Sequence, residues 1–245
     1  MPATGGTAGG SPAARQALLT AAAQTGRLSS AAETLTVQVS GTQSETTTGT
    51  ILAQLRPAVQ ISADLSLTQG GRRSRVKEVL TGGALYFHIS SLARQFGKPW
   101  VKINPSHLQG SAGALITQMF RNLQTNTFTA QARLLSVARN THVAGRQMIQ
   151  GVPTTEYAGS LEAATALRSL PAGLRKVLSP ELQALGNSTI SFRAWIDSQH
   201  HTRRMAETEQ VNGETVHTTL DITALNQPVD ITVPPAGQTT TQPGF

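Results

Sequence analysis

Histidine, cysteine, serine and the carboxylates are the side chains most able to do chemistry, and their spacing is the first constraint. The chain has six histidines, His88, His107, His142, His200, His201 and His217. A zinc centre needs several His, Cys or carboxylate ligands at close, characteristic spacing. Four of these histidines are isolated, and the adjacent pair His200 and His201 would point to opposite faces of a strand. The absence of cysteine excludes disulfides, thiolate nucleophiles and cysteine metal sites. Gly110-Ser111-Ala112-Gly113 comes close to a nucleophile elbow. That motif requires a glycine two positions before the serine, and Gln109 stands there. No phosphate-cradling loop or dinucleotide glycine motif is present, and the 13 acidic residues form no paired-carboxylate motif. The expectation is a protein that is not an enzyme, with no catalytic residue, no metal and no cofactor.

Charge and composition narrow the partners. Lys and Arg total 20, giving a net charge of +7. The basic residues are scattered apart from Arg72, Arg73, Arg75 and Lys77. A nucleic-acid interface needs a dense basic patch with stacking aromatics, and aromatics make up only 4% of the chain, so no nucleic-acid partner is expected. Charged residues at 13% beside 38% hydrophobic argue for a folded chain rather than a disordered one. No apolar run approaches the ~20 residues of a membrane span. Residues 1–12 lack the basic start and apolar stretch of a signal peptide and read as a flexible tether of small residues.

The elements that would position any site follow from periodicity. Ser11 and Pro12 begin a helix over Ala13 to Gln24, with Gly26 able to end it. Leu35, Val37 and Val39 alternate with polar residues, as do Ile51, Ala53 and Leu55. Val59, Ile61, Ala63, Leu65 and Leu67 form the clearest alternating row, one face apolar and the other polar. After a turn at Gln69 to Gly71, Arg73, Arg75 and Lys77 share one face, opposite Ser74, Val76 and Glu78. Leu85 and Phe87 continue the pattern, and Trp100 to Asn104 is a short strand. Leu115, Ile116, Met119, Phe120 and Leu123 repeat at helical spacing, and a second helix is expected over Thr129 to Ala138. Strands return at Arg146 to Gln150 and Thr154 to Leu161, then helices over Glu162 to Leu170 and Ala172 to Leu185. The chain ends in strands: Phe192, Ala194 and Ile196 alternate, and Asn212-Gly213 marks a hairpin between Arg203 to Val211 and Glu214 to Ile222. Pro228 to Val233 would add an edge. Strands, helices, then strands predict one α+β domain with a large, curved antiparallel sheet and helices covering its concave face.

Five segments, taken in order, carry a resemblance. They are Gly83-Ala84-Leu85-Tyr86-Phe87-His88, Gly97-Lys98-Pro99-Trp100-Val101-Lys102-Ile103, the stretch Gly151 to Leu161, Ala194-Trp195-Ile196-Asp197 with Arg203-Arg204-Met205, and Pro228 to Ala236. In this order and spacing they resemble the actinobacterial lipoproteins of the LppX/LprG type, from about Ala13 to Ala236. The resemblance implies a LolA-like fold, a half-open antiparallel barrel with helices plugging its concave side. It also implies export to the extracytoplasmic face of the membrane, an N-terminal lipid anchor, and binding of lipids or acylated glycolipids between sheet and helices. The anchoring cysteine is absent, Met1 standing in its place. Where the family carries a glycine after Asp197, this chain has Gln199, His200 and His201.

On this reading, 1–12 is a tether, 13–236 a single lipid-binding domain of the cell envelope, and 237–245 a disordered tail. The cavity wall is expected from Leu35, Val37, Val39, Ile51, Ala53, Leu55, Ile61, Ala63 and Leu65, with Leu85, Phe87, Phe192, Ala194 and Ile196. The lid is expected from Leu115, Ile116, Met119, Phe120 and Leu123. Arg73, Arg75 and Lys77 are the expected strip for lipid headgroups or the membrane surface. The competing reading keeps the fold but fills the core and makes the chain an extracytoplasmic interaction or sensor module with an envelope protein as partner.

Overall fold

The computed structural model describes residues 10–41, 44–89, 97–104, 134–169, 175, 179, 183, 186, 188–211 and 213–241. Helix α1 (Pro12–Thr25) starts where the sequence places it. Ser11 caps it, its hydroxyl accepting from the Ala14 amide at 3.4 Å, and Pro12 occupies the first turn. Gly26 ends the helix in a right-handed conformation at φ −65°, so its lack of a side chain is not what stops it.

Among the described residues twelve strands form one sheet. They are β1 (Ser30–Ser40), β2 (Glu45–Gln54), β3 (Gln60–Gln69), β4 (Arg72–Thr81), β5 (Ala84–Ile89), β6 (Trp100–Ile103), β7 (Arg139–Ile149), β8 (Val152–Glu162), β9 (Thr189–Asp197), β10 (Thr202–Val211), β11 (Glu214–Leu225) and β12 (Thr239–Thr241). Their order is β12-β6-β5-β4-β3-β2-β1-β11-β10-β9-β8-β7. Two meanders are thus joined where β1 meets β11. Every pairing is antiparallel except β12 on β6, and β12 and β7 end the row, so the sheet is not closed. Tight turns link neighbouring strands, and Gly70, Gly71, Gly82 and Gly83 all adopt positive φ there. A short helix, α2 (Ala163–Ser169), follows β8 and packs in a satellite cluster with Leu134, Leu161 and Ile190.

Several expectations shift. The strand expected from Arg146 begins at Arg139, with two register irregularities against β8. The described end of the helix expected over Thr129 to Ala138 is a single 3-10 turn, Leu135–Val137. Val59 is exposed and precedes β3 rather than opening it. Pro228 to Val233 adds no strand. It crosses the outer face, where Ile231 packs with Val79, Tyr86 and Trp100. The edge comes instead from β12, within the tail expected to be disordered; Lys98 Nζ donates to the Thr239 carbonyl there at 3.1 Å. The turn after Asp197 manages without glycine because His200 takes φ +62°. The Asp197 carboxylate accepts from the Gln199 and His201 amides, both at 2.9 Å, and from Arg203 Nε at 2.8 Å. Burial raises the Asp197 carboxyl, but these donors outweigh it and hold the group below its ordinary range.

Candidate functional site

Strand pairing fixes which side chains share a face, because alternation has period two. The core face can therefore be read as cross-strand rows. One row runs Ala31, Ala53, Ile61, Leu80, Leu85, Ile103 from β1 outward to β6. The next runs Glu33, Ile51, Ala63, Glu78, Phe87, Val101. A third holds Leu35, Gly49, Leu65 and Val76 on one side of β1, and Leu220, Met205, Ala194 and Tyr157 on the other. The fourth brings Val37, Thr47, Leu67 and Ser74 into line with Thr218, Glu207, Phe192 and Gly159. The last described row is Val39, Glu45, Gln69 and Arg72, continued by Val216 and Glu209.

Polarity is lowest in the first row and highest in the fourth and fifth, with the carboxylates of Glu33 and Glu78 already in the second. The first is aliphatic and buried, and Leu18 and Ala21 of α1 join the same cluster. The fourth and fifth carry hydroxyls, carboxylates and an arginine, and their aliphatic members are only partly buried. Two strand glycines shape the face. A Cβ on Gly49 would come within 2.8 Å of Leu65 Cδ2, and one on Gly159 within 2.7 Å of Phe192 Cζ. Each glycine thus lets a large side chain lie over the backbone, a use of glycine in strand interiors.

The expected wall residues can now be placed. Leu35, Ile51, Ala53, Ile61, Ala63, Leu85, Phe87, Phe192, Ala194 and Ile196 lie in one buried cluster, with Val37, Leu55 and Leu65 partly buried against it. Val39 is outside that cluster, half-exposed in the fifth row. Leu115, Ile116, Met119, Phe120 and Leu123 lie outside the described residues. Sequence reasoning missed Leu80, Val101, Ile103, Met205, Leu220 and Ile222, which share the cluster and were legible as alternate positions of their strands. It also missed the acidic residues of this face. Glu33 is 1% exposed. Burial pushes the Glu78 carboxyl up to about 7 and raises Glu209 as well.

Arg73, Arg75 and Lys77 lie on the opposite, outer face, since Val76 between them belongs to a core-face row. Arg75 grips Asp64 through Nε at 2.6 Å, Lys77 Nζ lies 3.6 Å from the same carboxylate, and Arg73 donates to Ser66. The Arg75 hydrogen bond lowers the Asp64 carboxyl. Asp64 thus offsets one of the strip's three positive charges, and the strip faces away from the core-face rows. The other outer-face carboxylates on the sheet are similarly matched, Glu156 with Arg193 and Asp221 with Arg204.

A cleft of about 580 Å³ lies where β7, β8 and β9 end, lined by Arg146, Met148, Pro153, Tyr157, Ile196 and His200 among others. Its size suits a small ligand or part of an acyl chain. Among the described residues no three His, Asp or Glu side chains converge as a metal site, and no helix is long and apolar enough to cross a membrane.

No family model matches the chain, and no curated protein matches it. Solved structures do. LprF from Mycobacterium bovis superposes with a TM-score of 0.56 at 16% identity, covering 92% of this chain and 99% of its own. The Mycobacterium tuberculosis lipoprotein LppX gives 0.51 at 18% identity, covering 90% and 99%. The expected LolA-like fold of the LppX type is thus this chain's fold as far as its large, open, mostly antiparallel sheet; the lid helix expected over the concave face lies outside the described residues.

Proposed function

We propose that this chain is the extracytoplasmic domain of a lipoprotein that binds lipids or acylated glycolipids on the core face of its sheet and carries or presents them. The observation that carries the reading is the polarity gradient of that face. Mostly aliphatic rows at one end, broken by Glu33 and Glu78, and rows of Thr47, Ser74, Thr218, Glu207 and Glu209 at the other match an amphiphile laid along the strands, acyl part first. Each methylene buried contributes ~0.8 kcal/mol, so about ten methylenes would contribute on the order of 8 kcal/mol before ordering costs. Binding of this kind needs no reaction, which accords with a site built from aliphatic, hydroxyl and carboxylate side chains. The fold shared with the lipoprotein LppX supports the same reading, and an N-terminal lipid anchor would hold such a domain at the membrane.

The test is an organic-solvent extract of protein purified under mild conditions, analysed by mass spectrometry. Acylated species near one per protein, depleted when Leu65 is replaced by Asp on the third row, are the expected result. An extract without lipid, from protein that also fails to take up a fluorescent fatty acid, would overturn the reading in favour of a packed core.

A further inference from the structure

Strand β7 ends the sheet row, so among the described residues one backbone edge of it has no strand partner. The chain enters the described fold against this edge. The Ser11 amide donates to the Thr141 carbonyl at 2.7 Å, and the backbones approach so closely that a Cβ on Gly10 would lie 2.6 Å from the Thr141 nitrogen. Two further features gather along the same strand. Val143 and Met148 are large apolar side chains left 55% and 57% exposed. Arginines stand toward both ends of the strand: Arg15 and Arg139 line a cleft of about 830 Å³ at the start of α1, and Arg146 lines, with Met148, the 580 Å³ cleft described above.

Among the described residues some cations of the sheet meet a carboxylate and others, Arg72 and Arg73 of β4 included, do not. Arg75, Lys77, Arg193, Arg203 and Arg204 each face a carboxylate. Arg15, Arg139 and Arg146 have no carboxylate partner among the described residues. The first cleft has no acidic lining residue, and the second has only Asp197, already held by Arg203. Charge on an edge strand can simply block pairing with other chains. That role does not call for exposed Val and Met side chains between the charges. Apolar tips flanked by arginines are what a lipid–water interface accepts, the tips entering the acyl boundary and the cations meeting phosphates.

We propose that the β7 edge is the surface by which this protein sits on an anionic lipid bilayer, with Val143 and Met148 inserted and Arg15, Arg139 and Arg146 on lipid phosphates. The proposal stands apart from what the core face holds. It assigns membrane contact to a different strand from the Arg73 strip.

Co-sedimentation tests it, using vesicles of phosphatidylcholine alone and of phosphatidylcholine with phosphatidylglycerol. The protein should partition to the anionic vesicles and lose that partitioning at 1 M salt, where the Debye length is ~3 Å. At ~1 kcal/mol per cation, Arg139→Ser with Arg146→Ser should lower partitioning roughly 30-fold. Arg139→Lys with Arg146→Lys should keep most of it, and Val143→Ser with Met148→Ser should weaken it at unchanged net charge. Arg73→Ser with Arg75→Ser should leave it unchanged. Thermal melts of each variant separate lost binding from lost folding. Partitioning that ignores the β7 changes, falls with the β4 pair, or is equal on neutral vesicles would overturn the proposal. So would β7 variants that bind vesicles normally but no longer bind an acidic peptide, which would give the edge to a protein partner.

Discussion

Replacing Glu78 by Gln should stabilise the protein at alkaline pH and do almost nothing at acid pH. Glu78 shares a core-face row with Ile51, Ala63 and Phe87, and burial raises its carboxyl from 4.5 to about 7. The folded state therefore holds this proton more tightly than the unfolded chain. Below about pH 4.5 both states are protonated and the residue is neutral to stability. Between 4.5 and 7 the unfolded chain gives up its proton first, so stability falls as pH rises. Above 7 the full cost is present, about 3 kcal/mol at 1.36 kcal/mol for each pH unit. Gln keeps the shape and has no charge to desolvate. Urea unfolding at pH 4 and pH 8, extrapolated linearly to water, should show the variant and the parent nearly equal at pH 4. At pH 8 the variant should be more stable by about 3 kcal/mol. Asp64 and Asp197 have lowered carboxyls and lose stability on acidification, but this affects both proteins equally and cancels in the difference. A difference independent of pH, or a Gln variant weaker at pH 8, would refute the burial argument.

The glycines of the core face make a sharper steric prediction. Gly159→Ala should cost about 1–3 kcal/mol by overpacking against Phe192 in thermal or urea unfolding, while Gly145→Ala, whose nearest contact is 3.5 Å away, should be tolerated. Asp197→Ala should cost about 3 kcal/mol, because Arg203 and two turn amides lose their acceptor. Asp197→Asn should recover part of this, and equal melting points for the two variants would count against the carboxylate's role. Val39→Trp, filling the half-exposed fifth row, should lower extractable lipid without lowering the melting point; unchanged lipid content would remove that row from the ligand's path.

The strands of this fold were largely legible because their signal is local. In β3 the alternation of Ile61, Ala63 and Leu65 with Ser62, Asp64 and Ser66 fixes both the strand and its faces. The same is true of the Gly70-Gly71 turn. What stayed hidden depends on pairing across the sequence. The irregular register of β7 against β8 breaks period two around Gly145, so Arg139 to Val143 did not read as strand. The threonine-rich tail 239–241 has no apolar pattern, and becomes a strand only because β6 offers it an edge. The acidic members of the core face were readable and went unread. Glu78 lies two residues after Val76, and Glu33 two before Leu35, both in phase with apolar neighbours. The aliphatic wall expected from the sequence is thus interrupted by carboxylates, Glu33 fully buried and Glu78 partly so.

Charge shows the same contrast between sequence and space. Arg72, Arg73, Arg75 and Lys77 form the densest basic run in the chain, yet two of the four share Asp64, which the β3–β4 register sets directly opposite Lys77. A run of like charges on a strand that pairs with a carboxylate is a cross-strand device, worth a fraction of a kcal/mol to the sheet. Arg15, Arg139, Arg146 and His200 are scattered over nearly two hundred positions, and nothing in their spacing connects them. The fold brings them to the clefts along one unpaired strand, where among the described residues the three arginines meet no carboxylate. Positive charge without a matching carboxylate therefore gathers at the β7 edge as well as on β4, and only the fold reveals the first of these.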